Sequence, residues 1–516
     1  MSLPKDHQLL EHLNFKLANW LVLAGSASAA ARLQWQLANP AAAQRQLWRS
    51  LLQDNAQSAY GRQYGFASLR TIAEYQSAVP IVDYDDLQPW IERIMQGELG
   101  VLTVEPTLML EKSAGSTAAA KYIPYTKRLL GEFQLATNAW LYDLLLKRPQ
   151  LRACGAYWSI SPVARLREYT AGGLPVGFVD DTEYFRPLQR WILRQLLLVP
   201  GEVAHLTGGM DRVRYVTLRL LLDSADLGLI SVWNPSFLLL LLEAMVTWGD
   251  RLVHDLRDGT LNPPTPIEPN WQRVLTRRLR PQPRRAALLS SLLASGSPCD
   301  ASQLWPRLTL ISCWASASAA LFVPQLPAWF PGVEIQGKGL LATEGVVSFP
   351  LLGQPGAVLA LGSHFLEFLP VDHDGTDKHP LLAHELTTGQ RYLVLLTTGG
   401  GLYRYCTHDL VEVVGQIKET PLIEFRGKAD HISDLCGEKL ASLHVERIVL
   451  AGLRYFELEP RFVLLAPELG APPHYSLFLE ENRAGADLLA RLATHLEAKL
   501  RENPHYDYCR DLGQLG

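Results

Sequence analysis

Apolar positions recur at helical spacing through the first hundred residues. Leu47, Leu51 and Leu52 share one face, as do Leu87, Trp90, Ile91, Ile94 and Met95, so residues from about 8 to 105 read as mostly helical. Pro80 and Pro89 sit near expected helix starts, where a missing N–H costs little. From about 105 to 240 the pattern alternates: Thr107-Leu108-Met109-Leu110 reads as a strand, Leu129 to Lys147 as a long helix, and Ala156 to Ile160 as short strands. Strands alternating with helices predict βαβ units and a mainly parallel sheet. The most apolar run, Leu227 to Leu242, is interrupted by Asn234-Pro235 and ended by Glu243. It is too broken to span a bilayer and predicts a buried helix starting near Pro235.

Residues 258 to 300 are rich in Pro and Arg, including Pro263-Pro264, Arg277-Arg278 and Arg284-Arg285, and read as a solvated helical hairpin. Another strand falls around 308 to 312, and residues 333 to 425 are strand-rich, with runs such as Val358 to Leu361 and Tyr392 to Leu396. After Gly427 the texture becomes a smaller α+β pattern that ends in a helix from about Ala484 to Arg501. The expected fold is α/β. A large N-terminal domain, 1–426, carries mixed or parallel sheets flanked by helices, and a small α+β domain, 427–516, comes after it.

Composition supports a globular chain with ample core, since 48% of the 516 residues are hydrophobic and 19% charged. Lys and Arg number 48 against 52 Asp and Glu, a balance that favours neither nucleic acid nor an anionic membrane. Six scattered cysteines form no C-x-x-C pair, which argues against a zinc site or disulfide framework and suits a reducing cytoplasm. The polar N-terminus shows no signal peptide. His364, His373, His379 and His384 fit no helical ligand spacing and read as loop and surface histidines.

The chemistry concentrates in five segments. Glu111 to Thr126 packs Ser113, Gly115, Ser116 and Thr117 into a loop and then sets Lys121 before a strand-like run. Backbone N–H groups, hydroxyls and one ammonium suit a phosphate, although the Walker spacing is absent. Gly337 to Gly345 contains Thr343-Glu344, a hydroxyl for phosphate beside a carboxylate for Mg²⁺. Thr397 to Asp409 is a Gly-rich turn running into a strand tipped with Asp409, whose carboxylate could accept both hydroxyls of a ribose. Phe425 to His431 and Gly437 to Leu440 complete the set. Each has a plain alternative: a surface loop, a surface Glu344, an Asp409 that caps a turn, or a simple hairpin loop at Gly399 to Gly401.

Taken together, in this order, the segments resemble the Gretchen Hagen 3 family of acyl-acid amido synthetases, in its bacterial branch, within the acyl-adenylate-forming superfamily. Tyr60 to Phe66, Val79 to Tyr84, Ile91 to Ile94 and Gly97-Glu98 agree as well. The resemblance implies two steps with ATP and Mg²⁺. A carboxylic acid becomes an acyl-AMP, and an amine, usually an amino acid, then takes the acyl group. It also implies roles. Ser113, Gly115, Ser116, Thr117 and Lys121 would form the phosphate loop, with Gly337, Thr343 and Tyr403 also at the nucleotide. Glu344 would bind Mg²⁺, Asp409 with Lys428 would hold the ribose, Asp430 would mark the hinge of a mobile C-terminal domain, and Lys439 would join Lys121, Thr343 and Glu344 in catalysis. The partners are small molecules, and the expected state is a monomer or weak dimer. Candidate walls for the acid, near expected strand or helix ends, are Tyr157, Trp158, Trp233 and Phe322, which could equally be core aromatics.

Several positions depart from the family pattern. Ala114 and Ala118 stand where Ser and Gly are usual; Cys406 and His408 replace an Arg and a Gly beside Asp409; Lys428 replaces an Arg. Relatives generally continue to a closing strand bearing a lysine, so a shortened chain or a missing lysine is expected at Gly516. Two other readings therefore stand beside amide synthesis: transfer of the acyl group to coenzyme A, and a member that binds nucleotide or acid without turnover.

Overall fold

The computed structural model describes residues 3–516 except 114–120, 160–167, 178–186, 202, 204–205, 207–208, 372–378, 430–431, 434, 437, 439, 471 and 482–483; the side chains of 3–11, 113, 187–189, 318, 432 and 443 are also outside the description. The N-terminal hundred residues are helical, as the spacing predicts: Leu3–Ala38, Pro40–Asn55, Ala59–Gln63, Ile72–Ala78 and Tyr84–Met95. Two of these start on capping boxes, Thr71 with Glu74 and Asp83 with Asp86. The second box moves one expectation. It starts the helix at Tyr84, so Pro89 lies inside the helix rather than at its beginning.

Three parallel pairings join Gly155–Trp158, Leu227–Ser231, Leu310–Cys313 and Glu334–Gly337 into one sheet whose strands follow chain order. Here the alternating strand and helix pattern gives the parallel layout it predicts. Further on, where the sequence reads only as strand-rich, the pairing is antiparallel, so the large domain carries the mixed sheets expected of it. Residues 348–428 form a seven-stranded antiparallel sheet in which 405–417 pairs with both 391–397 and 420–428. Its strands are joined by short connections, which antiparallel pairs allow and parallel pairs do not.

The apolar run after Asn234 is the helix Pro235–Thr247, with Asn234 accepting from Ser236 N–H at its start. The Pro- and Arg-rich segment does form two helices, Pro269–Thr276 and Pro283–Ala294, but they are part of a core rather than simply solvated. Leu275, Leu289 and Leu292 are buried, and the Arg285 guanidinium donates to the carbonyls of Leu222, Ser224 and Leu304. After Lys428 a separate apolar cluster gathers Leu440, Leu453, Leu492, Leu496, Leu500 and Tyr506 from the last helices and the residues beside them. The expected last helix, Ala486–Leu500, is succeeded by another, Pro504–Asp511, capped by Asn503. No helix among the described residues is long and apolar enough to cross a membrane.

Candidate active site

The small-residue loop is the connection of a β-hairpin. Met109–Ser113 pairs antiparallel with Lys121–Tyr125, and Ser113 lies opposite Lys121. The loop's Gly115, Ser116 and Thr117, and the side chain of Ser113, fall outside the described residues. The segment after the hairpin is well anchored. Thr126 accepts from Leu129 N–H to cap the helix Lys127–Lys147, and its hydroxyl donates to the Gly399 carbonyl at 2.8 Å. The Lys121 ammonium lies 5.7 Å from the Tyr84 ring centroid.

Thr343 and Glu344 form the tip of a second hairpin, since Leu341–Ala342 pairs with Gly345–Val346. The Tyr125 hydroxyl donates to the Thr343 carbonyl at 2.6 Å, tying this tip to the first hairpin. Burial pushes the Glu344 carboxyl up; Lys428 and Lys121 pull it down, and Asp409 adds to the rise. Charges from three distant segments therefore act on the Glu344 carboxyl.

Asp409 and Lys428 face each other across the antiparallel pair 405–417 and 420–428. Lys428 Nζ lies 3.0 Å from Asp409 Oδ1 and donates to the Thr407 carbonyl at 2.8 Å. Asp409 is only 2% exposed, so its neighbouring ammonium offsets much of the cost of burying a carboxylate. The residue before it carries strain: His408 has φ +57, a backbone that glycine adopts more easily.

Other sequence candidates lie elsewhere. Tyr403 is a core residue, not a cleft residue: it is fully buried, stacks on Tyr60 at 5.0 Å and donates its hydroxyl to the Leu102 carbonyl. The Gly399 to Gly401 turn is closely packed against neighbouring segments. A Cβ on Gly400 would sit 2.6 Å from the Pro124 carbonyl oxygen, and Gly401, at φ +95, lies against Leu102. Gly337 ends the fourth strand of the parallel sheet. Asp430 and Lys439 fall outside the described residues. His364, read from the sequence as a loop or surface residue, is fully buried beside the Glu344 hairpin, and its Nε2 accepts from Val346 N–H at 2.9 Å. His373 is outside the described residues.

The aromatic candidates divide by face. Tyr157 and Trp158 alternate along one strand: Tyr157 enters a core, while Trp158 stacks on Trp140 at 6.4 Å. Trp233 lies beside Trp314 at 5.6 Å, just past the ends of two parallel strands. Phe322 packs on the same core as Tyr157. Sequence reading missed Trp140, Trp314 and Lys338; a lysine between two glycines immediately after a strand was the available signal.

Comparison with known proteins places the chain in a family. The GH3 family N-terminal domain matches residues 29–335, and the GH3 family central domain matches 357–428. The indole-3-acetic acid-amido synthetase GH3.10 of Arabidopsis thaliana is 25% identical over 450 residues, covering 79% of this chain and 73% of that protein. The jasmonoyl–L-amino acid synthetase JAR4 of Nicotiana attenuata is 21% identical, covering 85% and 78%. Among solved structures, a GH3.15 acyl acid amido synthetase in complex with 2,4-DB superposes with a TM-score of 0.79 at 19% identity, covering 96% of this chain and 88% of the other. The first domain match alone spans more than half of the sequence, and the chain belongs to the GH3 family.

Proposed function

We propose that this protein is an ATP-dependent acyl-acid amido synthetase. The observation that carries the reading is the ion pair of the buried Asp409 with Lys428, whose two charges, with that of Lys121, reach the Glu344 carboxyl. Two ammonium groups and two carboxylates, drawn from two hairpins and two sheet strands, suit a nucleotide better than an apolar guest. Family membership and the activities named for the plant relatives support the same reaction.

In the first half-reaction a carboxylate oxygen of the acid attacks the α-phosphorus of ATP, and pyrophosphate leaves. In the second, an amine nitrogen attacks the acyl carbon, loses a proton, and AMP leaves. The protein has little covalent work to do; positioning and charge neutralisation dominate. Lys121 supplies positive charge to the phosphates, and Asp409, with Lys428 beside it, accepts the ribose hydroxyls. Glu344 fits a divalent cation: its carboxyl oxygens are hard donors, and Lys428 and Lys121 only partly offset the burial that raises it. Mg²⁺ held there would neutralise phosphate charge as pyrophosphate departs. The Thr343 carbonyl, fixed by Tyr125, holds the turn that presents Glu344.

The chain divides at about residue 427 into a large domain, 1–426, and a small one, 427–516, with Asp430 at the hinge. The separate apolar cluster after Lys428 supports this division. Six free thiols suit action in a reducing cytoplasm. The backbone at His408 keeps the conformation glycine would adopt, so the substitution beside Asp409 has not remodelled the strand.

An acid-by-amine screen tests the reading, with pyrophosphate release and amide mass as readouts and coenzyme A as a separate acceptor. Acid-dependent pyrophosphate release with amide product supports it. Thioester product alone would move the chain to coenzyme A ligation, and ATP binding without pyrophosphate release from any acid would remove the catalytic role.

A further inference from the structure

The end of the parallel sheet carries a row of side chains that the adenylation chemistry does not use. Trp158, Ser231, Ser312 and Gln336 are register neighbours on adjacent strands and so project from one face. The helix Lys127–Lys147 reaches that face: Trp140 stacks on Trp158 and donates its Nε1–H to Gln336 Oε1 at 2.9 Å. Two residues further along three of these strands, just past their ends, Trp233, Trp314 and Lys338 extend the row.

Lys338 lies among these aromatics. Its ammonium donates to Ser231 Oγ at 2.7 Å and sits 5.4 Å and 5.8 Å from the ring centroids of Trp233 and Trp140. Next to Ser231, the Ser312 hydroxyl is fully buried and has no hydrogen-bond partner among the described residues. A buried hydroxyl in that state is unfavourable, and a ligand oxygen would relieve it. The spot belongs to a different sheet from the ion pair at the nucleotide cluster: Lys338 follows the fourth parallel strand, whereas Asp409 and Lys428 lie on the antiparallel sheet.

We propose that Lys338, with Ser231 and Ser312, is the specificity-determining anion receptor of the acid pocket, and that the preferred acid is a planar aromatic acid with a second anionic group. This rests on the amido synthetase reading. Indole faces favour a flat ring. The reacting carboxylate belongs with the phosphates near Glu344, so the Lys338 ammonium is assigned to a different group of the acid. A carboxylate there would accept from Lys338 and from both serine hydroxyls, each a neutral or cationic donor.

The test is tryptophan fluorescence titration without nucleotide, using benzoate, isophthalate and terephthalate on the wild type, Lys338→Met and Ser312→Ala. At least one dicarboxylate should bind wild type ~10-fold or more tightly than benzoate. Lys338→Met should bring that ratio close to one, and Ser312→Ala, a small change that preserves the fold, should lower it several-fold. Equal binding of all three acids by wild type, no binding of either dicarboxylate, or an unchanged ratio in Lys338→Met overturns the proposal. An acceptor amino acid could supply the same anion, so glutamate is titrated alongside; Lys338-dependent quenching by glutamate in place of the dicarboxylates also overturns it. Pyrophosphate release with the same acids separates the two claims. Lys338-dependent dicarboxylate binding without release sinks the enzyme reading and leaves the receptor, whereas release from benzoate with no dicarboxylate preference does the reverse.

Discussion

The imidazole Nδ1 of His364 lies 3.1 Å from Glu132 Oε2, with both side chains nearly closed to solvent. The two atoms are within hydrogen-bonding distance but not aligned for one. On its other side His364 accepts from Val346 N–H, while Glu132 accepts from Gly399 N–H at 2.8 Å and from Arg128 Nε at 3.2 Å. The pair thus fastens the hairpin that bears Glu344 to the loop that leads toward Asp409.

Breaking this bridge should be costly. His364→Leu leaves the Val346 N–H unsatisfied and deprives Glu132 of a neighbour, a loss of about 3 kcal/mol. Gly345→Ala should act in the same direction, because its Cβ would sit 2.7 Å from His364 Nε2. Denaturant unfolding checks both; midpoints equal to wild type would show that the bridge is dispensable.

His408 offers a conformational test. At φ +57 a glycine should be accepted, with a gain of about 0.5–1 kcal/mol from relieved strain, whereas His408→Val places a β-branched residue in the left-handed region and should cost about 2 kcal/mol. Thermal or denaturant unfolding reads the order. A valine variant as stable as the glycine variant contradicts the strain assigned to this position.

Much of this arrangement was legible in the sequence, for identifiable reasons. Helices announced themselves through helical spacing, as with Leu87 to Met95, and through a proline at the start, as at Pro235. The parallel strands came from alternation with helices. The antiparallel sheet was harder, because runs such as Tyr392 to Leu396 are buried enough to read as either kind of strand. Motif order pointed to Glu344, Asp409 and Lys428, but not to which motif members serve packing. Tyr403 and Arg404 flank the same chemistry yet are held by Leu102 and by Glu367, partners remote in sequence. His364 was missed for the same reason: its environment is made by Glu132 and Val346, on separate elements.

The buried Arg404–Glu367 pair predicts a pH signature. Burial pushes the Glu367 carboxyl up, and Arg404 works against it. A carboxyl raised in the folded state holds its proton more tightly folded than unfolded. The associated stability is full below the usual value of about 4.5 and is lost as pH rises through the raised value. The unfolding free energy of wild type relative to Glu367→Gln should therefore fall across that window and level off above it. A constant difference from acid to neutral pH contradicts this. Arg404→Met should cost about 3–5 kcal/mol at neutral pH, since it leaves a buried carboxylate uncompensated.

Asp409 and Lys428 should separate binding from folding. Asp409→Asn should weaken ATP binding at least ~10-fold, near 1.4 kcal/mol. Lys428→Arg should keep the ion pair, whereas Lys428→Met should lose nucleotide affinity and about 1–2 kcal/mol of stability, discounted because the ammonium is 43% exposed. Calorimetry with ATP and a denaturation series read the two effects; unchanged affinity in Asp409→Asn would take that carboxylate out of the nucleotide site.

The most direct measurement is acid-dependent exchange of labelled pyrophosphate into ATP, run with Mg²⁺ over a panel of carboxylic acids on wild type and Glu344→Gln. Exchange that appears only with an acid, and that drops at least ~100-fold in a folded Glu344→Gln variant, is the predicted result. Exchange that ignores the acid, or that survives intact in Glu344→Gln, would contradict a site in which Glu344 works with Lys121, Asp409 and Lys428.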